Sequence, residues 1–142
     1  IQGGHFDEAH KLAKQVQQQK PDHAAGYSLE GDAALARKDY PAALAAFERA
    51  HRLAPSGATL IRQHQALSGM GRADEGEKRL AAWVASHPQD KGARLYLAES
   101  LIGRAQYKTA AEHYLTLNQQ APGNVMVLNN LAWALSPGPA PS

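Results

Sequence analysis

Pro21, Pro55, Pro88 and Pro122 fall 34, 33 and 34 positions apart. Twelve residues before each stands a small residue, Ala9, Ala43, Gly76 and Ala110, and four residues after that an apolar one, Ala13, Phe47, Leu80 and Tyr114. Few folds carry a recurrence of this length. A unit of this size cannot bury a core alone, so each must stack on its neighbours. Stacked units present surfaces more readily than they assemble catalytic centres.

The second unit shows how the period becomes structure. Tyr27, Leu29, Gly31, Leu35 and Ala36 mark one face of a helix, and Lys38-Asp39-Tyr40-Pro41 forms a turn. Asp39 suits the cap of the next helix, and Pro41 suits its first turn, where a missing N–H costs nothing. Ala43, Leu44, Phe47, Ala50 and Leu53 then recur at three- and four-residue spacing. Gly31 and Ala43 are the small residues expected where the paired helices cross, with Tyr40 at the turn and Phe47 reaching into the following unit. The third unit departs from this scheme, with His64 at the first crossing position and Gly76 at the second. A large residue opposite the smallest one keeps the volume constant, so the two read as a compensating pair. Extending the period along the chain predicts helices near 5–19, 24–37, 41–53, 57–69, 73–86, 91–103, 107–120 and 124–136.

Tyr27, Gly31, Tyr40, Ala43, Phe47, Ala50 and Pro55 resemble the signature of the tetratricopeptide (TPR) repeat, and Ala98, Tyr107, Ala110, Tyr114, Leu117 and Pro122 repeat it. The resemblance implies an all-α solenoid of helical hairpins, a right-handed superhelix of about eight antiparallel helices. A single array over 1–136 is expected. It comprises a partial repeat 1–22, repeats 23–56, 57–90 and 91–124, and a partial repeat 125–136. The Pro-rich stretch 137–142 is expected to be a disordered tail. The chain starts with Ile1 inside a repeat, which reads as a fragment of a longer array.

A second resemblance rests on Trp83, His87, Pro88, Asp90, Arg94, Leu97 and Ala98, followed by Leu128-Asn129-Asn130-Leu131-Ala132-Trp133. This pattern is similar to the TPR lipoprotein of PEP-CTERM/exosortase systems in Gram-negative bacteria. That family implies a lipid-anchored array outside the cytoplasm, periplasmic or on the outer envelope, tied to exopolysaccharide production and protein sorting. Without that link, a cytoplasmic adaptor or co-chaperone, or a spacer segment in a secretion complex, is the alternative.

Chemistry is poorly provided for. There is no cysteine for a disulfide or thiolate, and the net charge of +2 is spread among interspersed signs. Nucleic-acid binding wants a basic stripe with stacking aromatics, and none is evident. No apolar run is long enough to span a membrane. The seven histidines, His5, His10, His23, His51, His64, His87 and His113, include no i, i+4 pair and no H-E-x-x-H. Neither a nucleophile elbow nor a phosphate loop accompanies the serines and glycines. A non-enzymatic protein with no metal and no cofactor is therefore expected.

If the first helix of each unit lines a concave groove, as in TPR arrays, a shared phase places Ser28, Asp32 and Leu35, then Ile61 and Gln65, then Leu95, Glu99 and Ile102, and finally Asn129 and Trp133 along it. Arg62 and Arg94 fall out of phase. Such a mixed trough suits an extended peptide or a partner helix. The last helix lacks its mate, so Leu128, Leu131 and Leu135 are expected to be open to a folded-back tail or to a second copy in a homodimer.

Overall fold

Helix starts follow the capping residues closely. The computed structural model describes residues 2–21 and 23–136, and the expected tail 137–142 lies outside them. Among the described residues there are eight helices and no strand: α1 (Gln2–Gln19), α2 (Ala24–Ala36), α3 (Tyr40–Leu53), α4 (Gly57–Gly69), α5 (Ala73–Ser86), α6 (Lys91–Gly103), α7 (Tyr107–Gln120) and α8 (Val125–Leu135). Asp39, Ser56, Asp90 and Asn124 each accept a hydrogen bond from the backbone N–H three residues on, at 3.4, 3.1, 3.1 and 3.2 Å. Each bond satisfies one of the free donors of a first turn and contributes about 1 kcal/mol. Pro41 sits inside the first turn of α3, as expected. Only α1 departs by more than one residue from its expected start, running back to Gln2 through Gly3 and Gly4.

The turns inside the hairpins share one device. Lys38, Gly71 and Ala105 all adopt left-handed backbone, with φ of 62°, 75° and 61°. The N–H of each following residue returns to the carbonyl five positions back: Asp39 to Ala34, Arg72 to Leu67 and Gln106 to Leu101, each at 2.8 Å. These are Schellman closures, which use up orphan carbonyls and turn the chain sharply. Two of the three carry a side chain where glycine is favoured.

Packing divides the chain into two units, 1–79 and 80–142. In the first, α2 packs on α1 and α3, and α3 on α4. Phe47 lies in one buried cluster with Ala34, Ala43, Leu44, Ala66 and Leu67. It thus reaches from α3 to α4, as the sequence suggests. Gly31 makes room for Phe47 itself, since a Cβ there would stand 2.4 Å from the ring. The expected close facing of Gly31 and Ala43 is thus refined: the small residue accommodates an aromatic ring. Tyr40 lies against Gly69 in the same fashion. The His64–Gly76 pairing is present, with a Cβ on Gly76 falling 2.8 Å from both Cα and Cδ2 of His64. Arg79 joins three helices: its Nη1 donates to Glu48 at 2.8 Å and to buried Gln63 at 2.9 Å, and its Nη2 to Glu75 at 2.9 Å. Glu75 also takes Arg72, and those arginine hydrogen bonds, Arg72's first, hold its carboxyl below the usual range.

In the second unit, α7 packs on α6 and α8. Leu97, Ala98, Ala110, Tyr114 and Leu117 are its buried core. Arg94 Nη1 donates to His113 Nδ1 at 3.1 Å, and Nη2 approaches the Val84 carbonyl at 3.5 Å. Burial, together with the Arg94 charge, holds His113 below the usual imidazole range.

Candidate functional site

Counted from the residues that precede α2, α4, α6 and α8, the ten expected groove residues share one phase: Ser28, Ile61, Leu95 and Asn129 sit five residues on, and Asp32, Gln65, Glu99 and Trp133 nine on. In the first unit, Ser28 and Asp32 of α2 meet Ala58, Thr59 and Arg62 of α4 around a depression of about 210 Å³ that reaches down to Phe47. Arg62, out of phase by its position on the helix, nevertheless enters this depression. Its long stem brings Nε to 3.6 Å from Asp32 Oδ1. That correction has a simple cause, because a flexible arginine covers a full turn of a neighbouring helix. Oδ1 of Asp32 is buried and accepts no hydrogen bond, although the rest of the side chain is open. The Arg62 contact is an ion pair without hydrogen-bond geometry. The depression therefore holds a carboxylate oxygen with acceptor capacity to spare.

Ile61 and Gln65 are half-buried on α4. Leu35 leans on the Phe47 cluster and serves the core as much as the groove.

In the second unit, Leu95 lies with Lys91 and Gly92 of α6, Leu117 and Ala121 at the end of α7, and Asn124 and Val127 at the start of α8, around a mostly apolar pocket of about 150 Å³. Glu99 and Asn129 are exposed and Ile102 is half-buried. Trp133 is 50% exposed and meets Tyr107 edge to face, with centroids 6.4 Å apart. It is part packing element and part open surface. Arg94 is occupied by His113 and Val84, so it is no candidate for holding a peptide carboxylate alongside Asn129. Among the described residues no group of three or more His, Cys, Asp or Glu side chains is placed to hold a metal, and no helix is long and apolar enough to cross a membrane.

The tryptophan motif singled out in the sequence forms a local clamp. Trp83 Nε1 donates to Asp90 Oδ2 at 2.8 Å while Asp90 Oδ1 caps α6. His87 stacks on the Trp83 ring, centroids 3.6 Å apart and planes within 11°. One carboxylate thus ties the end of α5 to the start of α6. Sequence spacing flagged these residues as a group without revealing that their shared work is structural.

Helical hairpins of this register, closed by the same turn and crossing at small residues, define a repeat protein. The family model for the tetratricopeptide repeat matches residues 1–58 and 62–135, and the chain belongs to that family. Over 103 residues, 71% of its length, it is 31% identical to Tetratricopeptide repeat protein 21A of Mus musculus, and it spans only 8% of that protein. Among solved structures it is similar to TTC0263, a thermophilic TPR protein of Thermus thermophilus (TM-score 0.72, 20% identity, 94% of this chain and 75% of that one). It is also similar to YrrB, a TPR protein with an unusual peptide-binding site (TM-score 0.65, 17% identity, 94% and 69%). At these identities the two structures bear on the fold.

Proposed function

We propose that the chain is a non-enzymatic protein-interaction scaffold whose first-helix faces take an extended peptide. The observation that carries this reading is the Asp32 depression, where a buried carboxylate oxygen without a hydrogen-bond partner lies beside Arg62 on a recessed floor. A peptide main chain offers the N–H donor that this oxygen lacks, and the Leu95 pocket of the second unit, taken by itself, suits an apolar side chain. YrrB, of the same fold, carries a peptide-binding site, which supports the reading. The test is a peptide-array screen on the intact chain, repeated with Asp32→Asn and Leu95→Ala. Peptides that lose at least about tenfold in affinity with either change support groove binding. Retention of the same peptides at the same affinity refutes it.

The cellular setting is the further part of the proposal. The Trp83 to Ala98 and Leu128 to Trp133 segments are similar to the PEP-CTERM-associated lipoproteins. On that similarity we place the scaffold in bacterial envelope exopolysaccharide assembly, outside the cytoplasm. Fractionation of cells expressing the full-length gene, with mass spectrometry of its mature N-terminus, tests this. A soluble cytoplasmic product without lipid would remove it. Homodimerisation through α8 is part of the same reading. Leu128 and Leu135 are 42% and 65% exposed, whereas Leu60 and Leu67, at the same register of α4, are buried. Sedimentation showing only monomer at high concentration rules that contact out.

A further inference from the structure

The Asp32 depression opens between the first helices α2 and α4. Across the same helix layer, the second helices α1 and α3 enclose another recess of about 350 Å³ over α2. Its lining includes Lys14 and Gln17 of α1, Tyr27 and Glu30 of α2, and Arg49 and Arg52 of α3. The chemistry there is unbalanced. Among the described residues lining it Glu30 is the only carboxylate, and it is engaged from α1 by Lys14 Nζ at 3.2 Å and by the Gln17 amide. Glu48, the acidic neighbour of Arg49 on α3, is committed to Arg79. Among the described residues neither Arg49 nor Arg52 forms an ion pair.

Arg49 is also held in place. Its guanidinium carbon lies 4.6 Å from the centroid of the Tyr27 ring. This cation–π contact engages the charge with the ring and leaves the guanidinium N–H donors without an ion-pair partner among the described residues. Arg52, three residues on, projects from the same side of α3, about 5–6 Å away between Cβ atoms. The recess thus offers two forked cations, one of them already set over an aromatic ring. We propose that this recess docks an acidic peptide segment, with Arg49 and Arg52 each taking one of its carboxylates through paired N–H···O bonds. The site is separate from the groove on the first-helix faces and stands whether or not that groove binds peptide.

A peptide fits better than other anions. Tyr27 is 8% exposed and lies beneath Arg49, so it offers no platform for a nucleic-acid base. Three cations on a walled recess fall short of the clusters of roughly four to eight that hold proteins to anionic membranes. Two arginines one turn apart each offer a planar fork that pairs bidentately with a carboxylate, the group an acidic segment supplies repeatedly.

The experiment titrates the chain with an N-acetylated, C-amidated hexaglutamate peptide at low salt, followed by NMR. Hexaglutamine serves as the neutral control, and tripolyphosphate, a thymidine hexanucleotide and phosphatidylserine vesicles as competing anions. Saturable binding of hexaglutamate that weakens with salt is expected, with no binding of hexaglutamine. Arg52→Gln and Arg49→Lys are each expected to weaken it about fivefold or more, the second because lysine keeps the charge and loses the fork. Lys108→Gln, an exposed cation on α7, is expected to change nothing, and thermal melts by circular dichroism establish that each variant is folded. Absence of hexaglutamate binding, equal binding of hexaglutamine, or unchanged affinity in both the Arg49 and Arg52 variants overturns the proposal. Tighter binding of any competing anion overturns the assignment to peptide.

Discussion

Replacing Gly76 with alanine sets two physical effects against each other, and the structure decides the sign. In a helix interior alanine is favoured over glycine by about 1 kcal/mol. On propensity alone the variant is the more stable. But the new methyl would lie 2.8 Å from His64 Cα, 2.8 Å from Cδ2 and 3.0 Å from Cβ. The imidazole can rotate away, whereas Cα can move only with the whole of α4. Overpacking of this kind costs about 1–3 kcal/mol. The net expectation is a loss of about 1 kcal/mol, equivalent to about 3–5 °C in melting temperature for a chain of this size. Gly103→Ala is the matched control, because a Cβ there meets nothing within 4 Å. It is expected to hold or slightly raise stability. Urea melts of the three proteins, monitored by far-ultraviolet circular dichroism, read the difference directly. A Gly76→Ala protein as stable as the Gly103→Ala protein would falsify the compensating-pair explanation of His64. Gly76→Leu adds further atoms in the same place and is expected to lower the melt more steeply still.

Lys38→Gly and Ala105→Gly relieve left-handed backbone strain and are each expected to raise stability by about 0.5 kcal/mol, after allowing for the greater freedom of glycine in the unfolded chain; unchanged or lower urea midpoints contradict this. Asp90→Ala removes a cap and the Trp83 partner together, for an expected loss of about 2 kcal/mol, whereas Trp83→Phe, which keeps an aromatic six-membered ring but loses the pyrrole half of the indole with its N–H and leaves the α6 cap in place, is expected to lose about half of that. His51 and His113 both sit below the ordinary value of 6.5, chiefly through burial, with Arg94 assisting at His113. The unfolded chain then binds more protons than the folded one as pH falls through that value, so stability rises with pH. A melting temperature that declines from neutral pH downward is expected, with a shallower decline in His113→Gln; a flat profile across that window contradicts it.

Much of this architecture is written in local chemistry that a linear reading can follow. The expected bounds of α4, α5, α6 and α7 coincide with the observed ones, because Ser56 and Asp90 and the Pro55, Pro88 and Pro122 breaks fix chain direction without help from distant contacts. The His64–Gly76 exchange is legible for the same reason, since volume at a crossing must balance. What escapes is decided by rotamers and by a third dimension. Nothing in the sequence orients Arg62 toward Asp32 or turns Asp90 toward Trp83. Lys38 and Ala105 hide a left-handed turn that Gly71 alone would have betrayed. The Tyr27–Arg49 stack joins residues 22 positions apart on different helices, and no periodic pattern marks it. The groove positions emerge only in part, because phase locates a side chain's root and not its tip.

The divided labour of the Asp90 carboxylate makes the link between α5 and α6 a part of fixed gauge. An inserted residue between Pro88 and Asp90 would displace that group by up to about 3.5 Å along the chain, beyond the reach of either of its contacts. Length variation in this array must therefore be absorbed at other joints, and spacer sequences grafted into the protein belong elsewhere than between Trp83 and Ala93.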